Sequence, residues 1–337
     1  MADDYFELSP EERRDALAVA STQSGCPVHL LEKDVWVVWA LQQLFSSPYA
    51  DHLIFKGGTS LSKAYRAIDR FSEDIDITYD IRAIAGDLVS QTPDGLPKTR
   101  SQQKRWTDDI RKRLRDWIVG EMIPFIQQCL AETDKDAVAT AEGNAIIISY
   151  RPLTTGTGYV APHIRIDFGA RSTGEPFKMR PVTSDAAPFL RTLAFPECTV
   201  RVMRAERTFW EKATAIHVFC LQGELGGERF ARHWYDLVQL DKTGIINAAL
   251  KDLDLANSVA THKSVFYPEK DAAGVTINYA IAVTGQLTLV PVGEAREILS
   301  ADYKKMLGDG LLPDAAETFA EILARCAEIE TRANARS

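Results

Sequence analysis

The chain contains 337 residues, of which 45% are hydrophobic and 26% are charged, and its formal net charge is −8. This length and hydrophobic content suit two packed domains, whereas the acidic balance argues against non-specific nucleic-acid binding by the surface as a whole. The five cysteines are scattered and form no C-x-x-C pair, which predicts a protein without disulfides or zinc. The sequence has no membrane-length apolar run, and its N-terminus is unlike a signal peptide. We therefore expect a cytoplasmic protein without membrane contact.

Two helices are predicted near the start of the chain. Ser9 and Glu12 have the spacing of a capping box, and Pro10 suits the first turn of the helix that follows. A second helix is predicted over about residues 30–44. Both precede the first strand of the sheet.

A glycine pair separates the first predicted strand, residues 52–55, from a helix that begins near residue 60. Apolar positions in residues 60–68 recur at helical spacing. Gly57 and Gly58 therefore lie between strand and helix, where backbone amides and the helix dipole favour a phosphate. The spacing matches neither a Walker A loop nor the dinucleotide fingerprint. A plain turn, in which glycine is used for its positive φ, is the alternative.

Two carboxylates, one residue apart, follow on the next predicted strand. Alternate side chains of a strand share a face, so Asp74 and Asp76 point together while Ile75 and Ile77 point into the core. Mg²⁺ prefers carboxylate oxygens, and two-ion phosphoryl transfer commonly uses three acidic side chains. A glycine turn followed by such a pair is typical of the metal and nucleotide end of a nucleotidyltransferase. The solvated face of an ordinary strand is the alternative.

A basic segment comes next. Residues 98–116 contain eight Lys or Arg and three Asp. As a helix, this segment buries a stripe formed by Trp106, Ile110, Leu114 and Trp117. Lys104, Arg111 and Arg115 then share the opposite side, where they could contact the phosphate backbone of an RNA. Alternatively, Asp108 pairs with Lys104 and Arg111 in a solvated ladder of ion pairs.

A hairpin supplies the candidate third carboxylate. Residues 145–150 and 163–168 are predicted strands, joined by the Pro- and Gly-rich residues 152–162. The second strand alternates strictly, with Asp167 on its polar face. Asp167 could therefore complete a metal site with the earlier pair. An ordinary ion pair between Asp167 and Arg165, or another nearby base, is the alternative.

The rest of the chain is predicted to be mainly helical after a connecting or lid segment at residues 169–196. One helix is predicted over residues 203–221, with Lys212 beside its apolar stripe. Residues 275–292 are predicted to form a small hairpin. The last helix is predicted over residues 314–332.

Several motifs together resemble one protein family. They are Glu32-Lys33-Asp34, FKGGTSLSKAY at 55–65, RFSEDIDI at 70–77, Glu211-Lys212, RHWYDL at 232–237 and DYKKM at 302–306. These motifs resemble the AbiEii-type nucleotidyltransferases, the toxin half of type IV toxin–antitoxin and phage-defence modules, within the polymerase-β-like superfamily. The resemblance extends from about residue 32 to the last helix.

The resemblance implies an α+β fold. A polymerase-β-like nucleotidyltransferase domain, with a small mixed sheet, flanking helices and the N-terminal helices, would occupy residues 1–198. A mainly helical domain would occupy residues 199–337. The implied activity is Mg²⁺-dependent transfer of an NMP from an NTP, with Mn²⁺ as an alternative ion. In relatives the acceptor is often the 3′ end of tRNA, so RNA and a cognate antitoxin are the implied partners.

The family pattern also implies roles for individual residues. The phosphate-binding loop would consist of Gly57, Gly58, Thr59 and Ser60.

Asp74 and Asp76 would be metal ligands, Lys212 would contact the nucleotide phosphates, and Asp236 would be a catalytic acidic residue. The chain departs from the family at one position. Relatives commonly have an Arg-Asp-x-x-Asp-Leu pattern, whereas the first aspartate is here replaced by His233. Asp236 could then be structural, and the imidazole of His233 could bind or shuttle protons in place of the missing aspartate. The alternative is that the His233 ring is only packed against its neighbours.

Two other functions remain open from the sequence. One is an NTP-binding interaction module that does not catalyse transfer. The other keeps the chemistry but uses a protein hydroxyl as acceptor, which the low overall basicity allows. The intact Asp-Ile-Asp pair favours an enzyme, because a pure binding module needs no pair of metal-holding carboxylates.

Overall fold

The structure is a computed structural model that describes residues 3–92, 95–155, 161–223, 229–308, 310–313 and 315–335. The chain forms two compact units. The first comprises Met1–Ala64, Ser72–Gly95 and Lys104–Met203. The second comprises Tyr65–Phe71, Leu96–Gln103 and Arg204–Ser337. The short segment 65–71 therefore belongs to the second unit although it lies between two motifs of the first.

Nine strands are described, all in the first unit. They are β1 (Asp3–Asp4), β2 (Leu53–Lys56), β3 (Ile75–Tyr79), β4 (Val138–Glu142), β5 (Ala145–Ser149), β6 (His163–Gly169), β7 (Phe177–Thr183), β8 (Leu193–Ala194) and β9 (Glu197–Met203). Seven of them form one mixed sheet in the order β4-β5-β6-β3-β2-β9-β7. The β6–β3 and β2–β9 pairs are parallel and the other neighbours are antiparallel. β1 and β8 form a separate parallel pair.

Six helices accompany this sheet. They are α1 (Pro10–Ser24), α2 (Val28–Ser46), α3 (Gly57–Lys63), α4 (Ile81–Val89), α5 (Arg100–Trp117) and α6 (Ile123–Thr133). The predicted capping box is confirmed, because Ser9 and Glu12 exchange side-chain and backbone hydrogen bonds at the start of α1. α2 packs against β6 and β9 and is buried on every side from residue 31 to 41, although residues 32–34 are charged.

The second unit is mainly helical. Its helices are α7 (Ala205–Gln222), α8 (Arg232–Lys242), α9 (Ile245–Lys251), α10 (Leu253–Phe266), α11 (Tyr279–Val283), α12 (Gly293–Gly308) and α13 (Phe319–Asn334). These helices and the mixed sheet of the first unit confirm the predicted α+β class. Among the described helices, none combines the length and apolar character needed to cross a bilayer.

The predicted connecting segment at residues 169–196 is wrong over part of its length. β7 pairs with β9 along seven residues and forms one edge of the sheet. Its sequence alternates only over residues 177–180 before Pro181 interrupts it, and of its seven side chains only Val182 is buried. Pro181 is tolerated because an edge strand has a free side on which no donor is needed.

The predicted hairpin at residues 275–292 is also wrong. The segment contains the short helix α11, and residues 287–289 have no partner strand in the described structure. Side chains take the partner's place. Asn334 bonds both backbone groups of Leu287, Glu330 accepts from the Leu289 amide, and His217 Nδ1 accepts from Thr288.

Two predicted boundaries fall partly outside the described residues: the loop at residues 152–162 and the start of the last helix at residue 314. The helix predicted over residues 203–221 is observed as α7, with Gly223 as its C-cap. The described part of the last helix begins at Phe319, where Thr318 and Glu321 form a capping box.

Candidate active site

The glycine turn brings backbone directly against a carboxylate. β2 ends at Lys56, and Gly57 has φ +77°, in the left-handed region that glycine favours. A methyl group added at Gly57 would overlap Asp76 Oδ2 and lie 2.9 Å from Asp76 Cγ. The turn thus requires glycine for both its conformation and its close approach. This explains the first glycine of the predicted phosphate-binding loop.

The two hydroxyls of the loop are used inside it. Thr59 and Ser60 are fully buried. Thr59 Oγ1 donates to the Asp74 carbonyl at 2.5 Å and lies 3.0 Å from Ser72 Oγ, while Ser60 Oγ donates to the Gly57 carbonyl at 2.8 Å. These hydroxyls therefore fix the loop to the segment that carries the carboxylates. In this geometry the groups that the loop offers to a phosphate are backbone amides, including that of half-buried Gly58.

Asp76 and Asp167 are neighbours across the sheet. β3 runs parallel to β6 with Asp76 opposite Asp167, and antiparallel to β2 with Asp76 opposite Lys56. Asp74 immediately precedes β3 and is half-buried like Asp76. The sheet register thus brings the third predicted carboxylate beside the Asp-Ile-Asp pair.

The Asp167 carboxylate is bound to an arginine in this structure. Arg165 Nε donates to both of its oxygens, at 3.2 and 3.0 Å, and Arg165 also pairs with Glu142 at 2.8 Å. This is the ion pair that the sequence left open as the alternative. Among the described residues, no three Asp, Glu, His or Cys side chains are arranged to hold a metal ion. The neighbouring side chains of Asp76 and Asp167, and that of Asp74 just before β3, nevertheless all offer carboxylate oxygens, which suit Mg²⁺.

Buried charges on α2 hold the chain around this site. Lys33 Nζ lies 2.7 Å from Glu73 Oε2 and donates to the Ala161 carbonyl at 2.8 Å. It therefore ties down the residue before Asp74 and the entry to β6. Lys63, at the end of α3, pairs with Asp34 and lies 2.9 Å from Asp185.

These anchors were not predicted as site residues. Their sequence signal is a charged triplet, residues 32–34, inside an otherwise apolar helix, because charges are buried only when they are paired or hydrogen-bonded.

The second unit contains the remaining predicted site residues. Asp236 on α8 is fully buried between two cations. Arg70 donates from Nε and Nη2 to its two oxygens at 2.6 and 2.8 Å, and Lys212 Nζ lies 2.9 Å from Oδ2. Burial alone would raise the pKa of Asp236, but the charges and hydrogen bonds of Arg70 and Lys212 hold it well below its usual range. Asp236 is thus a permanently charged anchor for both cations.

The segment 65–71 is held by α8 at a second point. Tyr235 donates its hydroxyl hydrogen to Asp69, the residue before Arg70. Asp302 on α12 in turn accepts from the backbone amides of Arg229 and Ala231, immediately before α8. The family-like motifs at residues 232–237 and 302–306 thus both belong to the set of contacts that holds α8 and the segment 65–71 in place. Arg70 was not predicted to belong to it.

His233 is a neutral, packed ring. Burial, aided by the charge of Lys212, lowers its pKa well below the usual value. Its ring centroid lies 5.9 Å from that of Phe219 and 6.2 Å from that of Phe230. Nδ1 is buried and has no hydrogen-bond partner in the part of the chain that the structure describes. These contacts match the packing role given as the alternative.

The basic helix buries its predicted core stripe. Trp106, Ile110 and Leu114 are at most 1% exposed, whereas Trp117 is half-buried and stacks on Tyr79. Lys104, Arg111 and Arg115 are exposed, as predicted.

The chain belongs to the AbiEii family of nucleotidyltransferase toxins. The family model, described as the nucleotidyl transferase AbiEii toxin of a type IV toxin–antitoxin system, matches residues 39–325. This match covers most of the chain and includes residues of both units. It agrees with the family that the motifs resemble, and it defines the protein as an enzyme of the nucleotidyltransferase class.

The chain was also compared with solved structures. The chain is similar to MenT4, a nucleotidyltransferase toxin from Mycobacterium tuberculosis H37Rv, at 16% sequence identity and a TM-score of 0.38. The similarity covers 95% of this chain and 98% of that one. None of the curated proteins matches this chain.

Proposed function

We propose that the protein transfers an NMP from an NTP to an acceptor hydroxyl at the 3′ end of a tRNA, with Mg²⁺ as its ion. It would act in the cytoplasm as a growth-inhibiting or phage-defence toxin that a cognate antitoxin restrains. Membership of the AbiEii family supports the transfer chemistry and the toxin role. The tRNA acceptor, the ion and the antitoxin go beyond that membership.

The close approach of Gly57 to Asp76 is the observation that carries the proposal. It places backbone amides of a turn next to a carboxylate whose neighbour across the sheet is Asp167. Phosphate groups bind to such amides, and a divalent ion bridges phosphate oxygens to carboxylates. A plain turn would not require this contact.

Asp74, Asp76 and, on release from Arg165, Asp167 would hold the ion. When bound, Mg²⁺ would lower the pKa of the attacking hydroxyl and neutralise charge on the departing pyrophosphate. The loop amides would orient the triphosphate for in-line attack. The acceptor oxygen then bonds to the α-phosphorus and loses its proton, while the bond from that phosphorus to pyrophosphate breaks.

Lys212 would contact the nucleotide phosphates, as the family motif implies. Asp236 contributes by fixing the Lys212 ammonium, since its carboxylate is buried and already carries two cations. In this proposal Asp236 is a positioning residue.

The test is transfer of label from each of the four α-labelled NTPs onto total tRNA with Mg²⁺. Wild-type protein is compared with Asp76→Asn, which keeps the size of the side chain and removes its charge. Asp15→Asn, on the exposed face of α1, is the matched control. We expect label on tRNA with wild type and the control, and none with a folded Asp76→Asn variant.

Three results would contradict the proposal. Transfer by folded Asp76→Asn would remove the metal role of that carboxylate. Label that appears on protein would replace tRNA by a protein hydroxyl, and NTP binding without any transfer would favour an interaction module.

A further inference from the structure

α5 presents a face of cations that nothing in the described structure neutralises. From residue 104 onward, five of its basic side chains are exposed: Lys104, Arg105, Arg111, Lys112 and Arg115. None of the five makes an ion pair with a residue that the structure describes. We call these five residues the α5 basic face.

Another basic residue of the same helix behaves differently. Arg113 lies 2.5 Å from Asp87 and 2.9 Å from Asp109 and is thereby neutralised. The helix can therefore pair an arginine where the fold supplies carboxylates. The basic face lacks such partners within the described chain.

The predicted ladder through Asp108 does not form. Asp108 is exposed at the centre of the basic face, but it pairs with neither Lys104 nor Arg111. Like charges on neighbouring turns of a helix repel each other. With five cations around one carboxylate, the face is a local concentration of positive charge on a protein whose net charge is −8.

The composition of the face suits a polyanion. Every exposed residue of α5 from 104 to 115 is charged, so the face offers no apolar or aromatic anchor of the kind that protein interfaces use. Lys104 and Arg115 are about 16 Å apart along the helix axis, at 1.5 Å per residue. This length spans several successive phosphates of one nucleic-acid strand.

We infer that the α5 basic face binds the phosphate backbone of the acceptor RNA. This inference rests on the proposed function for the identity of the acceptor. The contacts are to phosphates, so they position the RNA without reading its sequence. They also allow an acidic protein to use RNA, because only one face needs to be attractive.

The test measures binding of fluorescein-labelled total tRNA by anisotropy, without NTP, over a series of NaCl concentrations. The variant K104Q/R111Q/R115Q removes three charges of the face. The matched control is K135Q/K178Q/R191Q, which removes three exposed cations of the same unit from other elements. A third variant, Asp108→Asn, removes the central negative charge.

We expect the basic-face variant to bind at least about tenfold more weakly and its plot of log K against log salt to be flatter by about 2, as for three phosphates of a single strand. Asp108→Asn should bind tRNA several-fold more tightly, because it removes a negative charge that repels the RNA phosphates. The control should match wild type.

The inference is overturned if the basic-face variant binds like the control, if Asp108→Asn has no effect, or if wild type does not bind tRNA. It is also overturned if the basic-face variant loses binding of polyglutamate but keeps binding of tRNA, which would make the face a site for an acidic protein. Because binding is measured without NTP, failure of nucleotide transfer leaves this test readable.

Discussion

At the scale of single residues, the site depends on how closely backbone and carboxylate approach. Gly57 leaves no room for a side chain beside Asp76, and the hydroxyls of Thr59 and Ser60 are consumed in holding the loop. The chemistry is thus assigned to main-chain amides and carboxylates. Substitutions that shift Asp76 without removing its charge should reveal this dependence.

Gly57→Ala should impair transfer far more than it destabilises the fold. A left-handed alanine costs about 1 kcal/mol, and its methyl group must also displace the Asp76 carboxylate. A shift of the order of 1 Å at a reacting centre costs about 100-fold in rate. Urea unfolding and label transfer on the same samples measure the two effects.

Gly25→Ala is the matched control for that variant. Gly25 has φ +75°, but nothing lies within 4 Å of the added methyl group. It should lose similar stability and keep its activity. Equal activities of the two variants would show that the contact with Asp76 is unimportant.

A buried glutamate gives the fold a pH dependence. Burial raises the pKa of Glu32 from 4.5 to about 7, although the Leu153 amide donates to its carboxylate. The native state therefore binds more protons than the unfolded state between these values, and stability falls as pH rises from about 4.5 to 7.

Glu32→Gln should remove this decline. The neutral amide needs no proton, so the variant should gain about 2–3 kcal/mol over wild type at pH 8 relative to pH 5, from the shift in pKa at 1.36 kcal/mol per unit. Unfolding in urea at both pH values measures the difference. Glu11→Gln, on exposed α1, should follow wild type, and a Glu32→Gln variant that also follows wild type would refute the assignment.

At the scale of elements, α8 is the support of the second unit. Its Asp236 pairs with Arg70 and Lys212, and its Tyr235 donates a hydrogen bond to Asp69. The backbone amide just before the helix donates a hydrogen bond to Asp302. Residues 65–71 thus attach to α8 by two polar contacts on consecutive residues. An acidic residue in such a position stabilises the fold whether or not it has a part in the reaction.

Asp236→Asn should destabilise the protein much more than Lys212→Met. The first leaves two buried cations without a counter-charge, which costs about 3–5 kcal/mol. The second leaves Asp236 paired in bidentate fashion with Arg70, and we expect a cost of about 1 kcal/mol. Urea unfolding of both variants measures these costs.

The same pair of variants separates structure from catalysis. Loss of transfer in a stable Lys212→Met variant would support the nucleotide contact of Lys212. Equal loss of stability in the two variants would show that Asp236 is not the shared anchor that the hydrogen bonds indicate.

At the scale of the whole molecule, charge is distributed unevenly on an acidic protein. The net charge of −8 repels a polyanion in general, so productive encounters must use a local surface of opposite sign. The α5 basic face is such a surface. The family match includes residues of both units, so experiments on function need the full chain.

Sequence patterns alone were sufficient for the family, the α+β class, the β5–β6 hairpin and the loop–carboxylate motif. These features are local: alternation along β6, helical spacing along α5 and α7, and a glycine pair between strand and helix. Edge strand β7 and residues 287–289 could not be predicted in this way. β7 contains Pro181 and buries only Val182, and the backbone groups of residues 287–289 are satisfied by side chains distant in the chain, such as Asn334 and Glu330.

The sequence by itself therefore determined which residue types are present for phosphate and metal chemistry. Only the tertiary structure decided which of them meet. Sheet register puts Asp167 beside Asp76, although the Asp167 carboxylate pairs with Arg165 of the same strand, as the sequence allowed. Folding of residues 65–71 onto α8 makes Asp236 an anchor between Arg70 and Lys212. The physical reason is that a carboxylate's role depends on which cations and amides surround it, and folding can bring those partners from far along the chain, as it brings Arg70 to Asp236.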